Sequence, residues 1–360
     1  MRKKILCITL NQFGYQINMF HYIKYLKEYY DFSYLCVDYG KERVNLSGLD
    51  VFYVAKEGSG YNQIYKFLLA IKKLLYNNPY DLIIIKYFPF ISLVKLFTKE
   101  KIILHVDSGA ASAGKLHNIL YNLFLKIESL FFQEIITLSE NLRKYLFLPK
   151  GKTYIVPLGS ESFSSEKHDY SNLNLIYIGT FNWRRIHETI DGFYQFYKRF
   201  SNEIGISYTI IGYGNKNEVD KITSRIKQLG LEGVVNFLGT VPYNKLSEYL
   251  SKSNVGVSYI PITPEYNVQP PTKTIEYLMA GLPTIATATE ENKKLMNNNR
   301  GVLIDDSSDG FYDGLCKIKN SSYDNDEIRQ SMENYKWEKI VHTHLKPVIE
   351  KIIDPINKTQ

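Results

Sequence analysis

Short apolar runs alternate with longer helix-period segments from one end of the chain to the other. In the first half, "KILCITL", "FSYLCVD", "VFYVA", "DLIIIKY", "KIILHVD", "EIITLS" and "TYIVPLG" read as strands. Helical stretches such as "NQIYKFLLAIKKLLYNN" separate several of them, with Ile64, Leu68, Ile71, Leu74 and Leu75 on one face. After about residue 165 the pattern restarts with "LNLIYIG", "ISYTIIGYG", "VVNFLGT", "NVGVSYIP", "LPTIATA" and "GVLIDD". Alternating β and α segments predict parallel sheets with helices on both faces, because a parallel strand pair needs a crossover. Two such series, joined by the polar stretch "SESFSSEKHDYSN", predict an α/β chain of two Rossmann-like domains, 1–165 and 166–335. Ligands of such sheets bind beyond the carboxyl ends of the strands, which places the expected site in a cleft between the domains.

Length agrees with two domains, since 360 residues exceed what one hydrophobic core usually serves. Thirty tyrosines in a chain also rich in Lys and Asn read as compositional bias. Three cysteines, widely spaced, offer no metal or disulfide pattern and suit a reducing cytoplasm. The apolar run after the basic "MRKK" is too short for a signal peptide and reads as a first buried strand. The longest apolar stretch, "LIIIKYFPFISLVKLF", is broken by Lys86, Pro89 and Lys95, so no transmembrane helix is predicted.

Charge changes the picture more than composition does. Residues 1–165 carry 21 Lys and Arg against 13 Asp and Glu, and the rest of the chain is close to neutral. A basic half-molecule implies an anionic partner. No nucleic-acid motif is present, and the amphipathic, lysine-studded segments of that half favour an anionic membrane surface. "LHNILYNLFLKIESLFFQE", with Phe124, Phe131 and Phe132, is apolar nearly all round. It reads first as a core-packed helix and alternatively as an interfacial one.

Candidate chemistry concentrates in "QPPTKTIEYLMAGLPTIATAT". Pro270 and Pro271 suit the start of a helix, where a missing N–H costs nothing, and Gly281 with Pro283 ends it. The first turn then offers free N–H groups and a partial positive charge, a ready phosphate site. Lys273 adds a cation there, flanked by Thr272 and Thr274. Glu276, one turn on, can accept two hydrogen bonds from a vicinal diol. A plain surface helix is the alternative. In "GTFNWRRIHETIDGF", Gly179 and Thr180 end a strand and Arg184 and Arg185 follow. Gly212 and Gly214 end another and read as either close backbone approach to a ligand or a tight turn. The histidines form no zinc-ligand set.

Residues 174–310 resemble the C-terminal domain of the retaining, nucleotide-sugar-dependent glycosyltransferases of GT-B fold, the "group 1" (family 4) branch. The segments that carry the resemblance are the two motifs above and the stretch from "YTIIGYG" to "NVGVSYIP", in the family's order. The first half resembles the family more weakly, through "IITLSENLRKYL" and "YIVPLGSE". The resemblance implies a glycosyltransferase with two domains across a cleft and a C-terminal helix, 336–360, crossing back onto the first domain. It implies a nucleotide-diphosphate sugar as donor, Glu276 on its ribose, and Lys273 with Arg184 or the neighbouring Arg185 on its diphosphate. With those cations no metal and no cofactor is expected. It further implies retention of configuration and a glycan or lipid-linked acceptor of a bacterial surface polysaccharide; with the cysteine pattern and the basic first half, the enzyme is expected to be cytoplasmic or peripheral on the inner membrane face. Gly14, in "NQFGYQIN", resembles the family's loop glycine facing donor and acceptor. His105 and Asp107, of equal parity at a strand end, stand where relatives place a sugar-contacting histidine; buried packing is the alternative for both.

Two departures from the pattern stand out. Thr180 replaces the usual Arg after the glycine. Val268 stands eight residues before Glu276, where an acidic residue is usual, with Glu265 eleven before. A sugar-nucleotide epimerase on the same fold, or a binding protein without turnover, are the rival readings. In the last segment, Trp337, Ile340, Leu345 and Ile349 recur at helical spacing, and Pro347 is expected to bend the run or divide it in two.

Overall fold

The computed structural model describes residues 2–58, 60–110, 114–161, 169–242 and 245–354. Every run read as a strand forms one. The first seven are β1 (Lys4–Ile8), β2 (Asp31–Asp38), β3 (Asp50–Ala55), β4 (Leu82–Lys86), β5 (Lys101–Val106), β6 (Glu134–Thr137) and β7 (Thr153–Ile155). The remaining six are β8 (Leu173–Thr180), β9 (Ile206–Tyr213), β10 (Val235–Gly239), β11 (Val255–Ser258), β12 (Thr284–Thr287) and β13 (Gly301–Ile304). They build two separate parallel sheets, in the orders β3-β2-β1-β4-β5-β6-β7 and β10-β9-β8-β11-β12-β13. Each order reverses once, between β1 and β4 and between β8 and β11. At such a point the flanking loops leave in opposite directions and open a crevice at the carboxyl ends.

The chain forms two compact units, Met1–Leu158 with Trp337–Gln360, and Gly159–Lys336. The boundary expected at residue 165 lies within 162–168, outside the described residues. In the second unit, alternate residues of β8 feed two cores. Leu175 and Tyr177 join Ile190, Phe193 and Tyr208 on one face. Ile176 packs with Tyr277, Ala280 and Leu282 on the other. A strand buried on both sides must read as a continuous apolar run, and Leu175–Tyr177 within "LNLIYIG" does.

The chain's last segment completes the first unit. Trp337 is buried and stacks on His21, ring centroids 4.8 Å apart at 11°. Ile340, Leu345 and Ile349 are buried below it. Pro347 divides the run as expected: a π-helical turn, Val341–Leu345, separates Trp337–Ile340 from Lys346–Ile353, which carries the proline in its first turn. There the missing N–H leaves no intrahelical bond broken. Lys101 Nζ then donates to the carbonyls of Ile352 and Ile353 at 2.6 and 3.1 Å, closing the helix's C-terminal end.

One expectation is corrected. The helix Lys115–Ser129 is not core-packed all round. Leu125 and Glu128 face inward, but Leu116, Leu120, Leu123 and Ile127 lie exposed along the opposite face. Of the phenylalanines, Phe132 is buried and Phe131 is exposed.

Candidate active site

In the second unit, two loops leave the carboxyl ends of β8 and β11 at the reversal point. The first is Phe181–Arg185, where Trp183 and Arg185 both take left-handed backbone angles, φ 55° and 51°. Each costs about 1–2 kcal/mol for a residue with a Cβ, so a tight turn is held around the residue between them, Arg184. The second runs through the short helix Pro264–Asn267, N-capped by Thr263, to the helix Thr272–Met279.

That helix starts at Pro271 with no side-chain cap. Its first internal hydrogen bond runs from Ile275 N–H to the Pro271 carbonyl. The N–H groups of Thr272, Lys273 and Thr274 therefore have no intrahelical acceptor. At the other end Gly281, φ +80°, donates to Leu278 O, and Leu282 N–H reaches Tyr277 O at 2.9 Å. Such a left-handed cap satisfies the terminal carbonyls. The Arg329 guanidinium lies 2.9 Å from where a Cβ at Gly281 would fall.

The Lys273 side chain lies across Gly179. A Cβ there would sit 2.2 Å from Lys273 Cε, so the glycine is the space the lysine occupies. Lys273 Nζ stands 5.3 Å above the Tyr177 ring. The Arg184 guanidinium lies over the Tyr266 ring, 3.9 Å from its centroid, and its Nε and Nη1 are buried without a hydrogen-bond partner. Burial first, and then the Arg184 charge, pull the Lys273 ammonium down to about 8; Glu276 opposes them. Burial pushes the Glu276 carboxyl up to about 7 against the pull of Lys273. Both side chains keep some contact with solvent, yet the dense surroundings disfavour both charges. Two cations thus share a poorly solvated corner with no ion pair between them and any carboxylate among the described residues. A dianion would relieve that repulsion.

Other expected site residues separate into two groups. Arg185 is spent internally: it pairs with Glu188 at 3.3 Å and with Asp306, whose carboxylate also accepts from Ile262 N–H. Glu188 in turn accepts from Tyr259 at 2.5 Å. Of the two arginines, only Arg184 turns its guanidinium toward Lys273. Thr274 is fully buried, its hydroxyl donating to Asn292 Oδ1 at 2.7 Å and accepting from the Ser258 hydroxyl at 2.8 Å, so it faces the interior and Thr274 offers a ligand only its N–H. Thr272 stays half-buried on the first turn. Thr180 accepts from Asn182 N–H at 3.3 Å. Gly212 pairs in register with Gly179, and a Cβ on it would fall 1.7 Å from the Gly179 carbonyl oxygen. Its glycine is required by the neighbouring strand. Gly214 is tight against Phe181, with 3.0 Å from its Cβ position to Phe181 Cβ.

In the first unit the loops after β1, β4 and β5 meet at the other reversal point. Lys86 Nζ lies 2.8 Å from Asp107, and Gln16 donates to the same carboxylate oxygen at 2.9 Å. Burial pushes the Asp107 carboxyl up, but Lys86, His105 and Gln16 outweigh it and hold it below the usual range. His105 has no exposed surface, and neither ring nitrogen has a partner. Burial drops its pKa to about 4, so the ring is neutral. It lies inside the sheet layer and presents no atom to a ligand, which corrects its expected role. Gly14, φ +88°, is explained by packing, since a Cβ would stand 2.3 Å from Val44 Cγ2. Gln12 ties the same loop to the backbone at Tyr39 and Lys41. Residues 111–112 of "HVDSGAAS" lie outside the described residues.

Tyr266, Lys86 and Gln16 escaped the sequence reading. Lys86 carries a visible signal, a charge at the end of "LIIIK"; Tyr266 and Gln16 carry none. Among the described residues, no group of three or more His, Cys, Asp or Glu could hold a metal ion.

Residues 172–320 match the family model described as Glycosyl transferases group 1. No curated protein matches the chain. Sucrose-phosphate synthase from Thermosynechococcus elongatus is similar in structure at 16% identity and a TM-score of 0.76, covering 98% of this chain and 99% of that one. A trehalose-6-phosphate structure from E. coli, bound with UDP-2-fluoro glucose, superposes at 10% identity and a TM-score of 0.71, covering 98% and 99%. A Listeria monocytogenes protein described as a "putative UDP-N-acetylglucosamine 2-epimerase" follows at 10% and 0.67, covering 98% and 96%. At such identities these neighbours speak for the fold alone. Within the second unit, residues 172–320 are thus similar to the Glycosyl transferases group 1 family, on a chain of GT-B fold.

Proposed function

We propose that the chain is a retaining, metal-independent glycosyltransferase that moves a hexose or related sugar from a nucleoside diphosphate. The acceptor is a glycan or lipid-linked precursor of a bacterial surface polysaccharide. The observation that carries the reading is the pair Lys273 and Arg184, which form no salt bridge among the described residues and lie beside an uncapped helix start. As a glycosyl–phosphate bond breaks, negative charge accumulates on the departing diphosphate. Fixed cations already in place stabilise that charge without reorganisation. The free N–H groups of Thr272 and Lys273 serve the phosphates, and Glu276 accepts from the ribose hydroxyls. Retention rests on the resemblance of the donor half to retaining enzymes.

Calorimetric titration with UDP, GDP, ADP and dTDP in the presence of EDTA tests this. One nucleotide is expected to bind, and Arg184→Ala and Lys273→Ala each to weaken it about ten- to a hundredfold, the loss of one charge-assisted hydrogen bond. Absence of binding by all four, or a strict metal requirement, sinks the assignment. The epimerase reading is supported by the fold of the Listeria neighbour only. Conversion of a free nucleotide sugar with no acceptor present would establish it instead.

A further inference from the structure

The first unit holds a surface that the transferase reading does not use. Along the helix Lys115–Ser129 and the turn after it, Leu116, Leu120, Leu123, Ile127, Leu130 and Phe131 form one stripe at helical spacing. Each is between 47% and 70% exposed. Scattered exposed leucines are ordinary, but a continuous apolar stripe is not.

The stripe does not stand alone. The helix Tyr61–Asn77 exposes Tyr61, Tyr65, Leu69 and Tyr76 along its own outer face. An aromatic series joins the two helices: Tyr61 to Phe90 at 5.7 Å, then Phe90 to Phe124 at 5.3 Å. Phe90 precedes the 3-10 turn Ile91–Leu96, which adds the exposed Leu93 and Leu96.

Charge on these three elements is one-sided. They carry Lys66, Lys72, Lys73, Lys95, Lys115 and Lys126 against a single carboxylate, Glu128. Glu128 is buried and accepts from Tyr87, from the N–H groups of Phe90 and Ser92, and from the Ser92 hydroxyl, at 2.7 to 3.2 Å. It holds the 3-10 turn against the helix and contributes nothing to the outer face. Lys66 is paired with Glu57, while Lys72, Lys73 and Lys115 are exposed. Lys126 leans over the exposed Phe147 ring, 5.0 Å from its centroid.

We propose that this face docks the first unit on an anionic lipid surface, with the leucine and aromatic stripe in the headgroup–acyl boundary and the lysines against lipid phosphates. The composition is that of an interfacial helix, with Leu and Phe on one face and Lys as the flanking charge. No helix among the described residues is long and apolar enough to cross a membrane, so the contact is peripheral. The inference does not depend on what the second unit transfers. Competing occupants, a second copy of the chain above all, would need acidic groups to meet these lysines, and the one exposed carboxylate beside the face, Glu57, is already paired with Lys66.

Co-sedimentation of the full chain with vesicles tests it, comparing phosphatidylcholine containing about a third phosphatidylglycerol with phosphatidylcholine alone. Binding is expected to the anionic vesicles and to fall with salt. Lys72→Ala with Lys73→Ala is expected to weaken it roughly 25-fold, about fivefold for each lysine. The triple change of Leu116, Leu120 and Leu123 to Ser should abolish it with thermal unfolding unchanged, because all three side chains are exposed. Equal binding to neutral vesicles, or binding that survives the triple change, overturns the proposal. So does a stable dimer, seen by sedimentation equilibrium without lipid, that the triple change dissociates.

Discussion

Glu276→Gln should make the ligand-free protein more stable, and the gain should depend on pH in a defined way. Burial raises this carboxyl from its ordinary value of 4.5 to about 7 even with Lys273 pulling the other way. A group whose folded pKa is raised costs nothing below its unfolded pKa, and its full penalty is reached above the folded one. The penalty here therefore opens between pH 4.5 and 7. Undiscounted, it amounts to about 3 kcal/mol at pH 8; the solvent contact Glu276 retains screens it to about 1.5 kcal/mol. At pH 5 the same linkage leaves about a quarter of that. Urea unfolding of both proteins at pH 5 and pH 8 reads the difference directly, with equal m-values confirming that the same surface unfolds. A variant no more stable than the parent at pH 8, or a gap that does not change with pH, refutes the reasoning. The same substitution should weaken nucleoside-diphosphate binding about tenfold. A residue that costs stability and provides binding is a mark of a functional site.

Gly179→Ala should displace the Lys273 side chain and weaken donor binding, with a moderate loss of stability from placing a side chain at φ +154°, since the obstruction itself is the flexible end of a lysine. Gly212→Ala, at the same φ and with its Cβ against the Gly179 backbone, should lower the unfolding midpoint further; equal thermal shifts for the two would contradict this. Arg184→Ala should reduce turnover more than donor affinity, whereas Arg185→Ala should cost about 1–3 kcal/mol by leaving Asp306 and Glu188 without their cation; steady-state kinetics beside thermal melts separate them. A chain ending at residue 336 removes the fully docked Trp337 and Ile349 and should lose protection throughout the first unit. Hydrogen exchange unchanged over residues 2–158 would show the terminal segment to be dispensable.

The central strands, β1, β4, β5, β11 and β12, were legible because they are buried on both faces, and only an apolar run can occupy such a position. The terminal segment was legible for a related reason: Trp337, Ile340, Leu345 and Ile349 keep one face through the break at Pro347. Patterning along Lys115–Ser129 could not say which apolar side meets the core, since a helix apolar nearly all round buries the same way in either orientation. The decisive residue is Glu128, whose four donors lie far away in sequence. Arg184 and Arg185 were indistinguishable for a similar reason. Adjacent residues in a turn differ only in the direction their side chains leave, and Asp306, more than a hundred residues on, claims one of them. His105 and Asp107 share parity, yet one lies within the sheet and the other just past its edge, a difference set by where β5 ends.

The first unit is discontinuous: its final piece, from Trp337, is made about two hundred residues after Leu158. On a ribosome adding about 5 to 20 residues per second, that is a delay of roughly 10 to 40 s. During it the surface of the helix Ile17–Leu26 that will receive Trp337 stays uncovered, with His21 and Tyr22 among its residues. The second unit is contiguous and can complete its core as soon as it emerges. The half of the chain made first is thus the half finished last, and it is the nascent first unit that offers chaperones an open apolar seam.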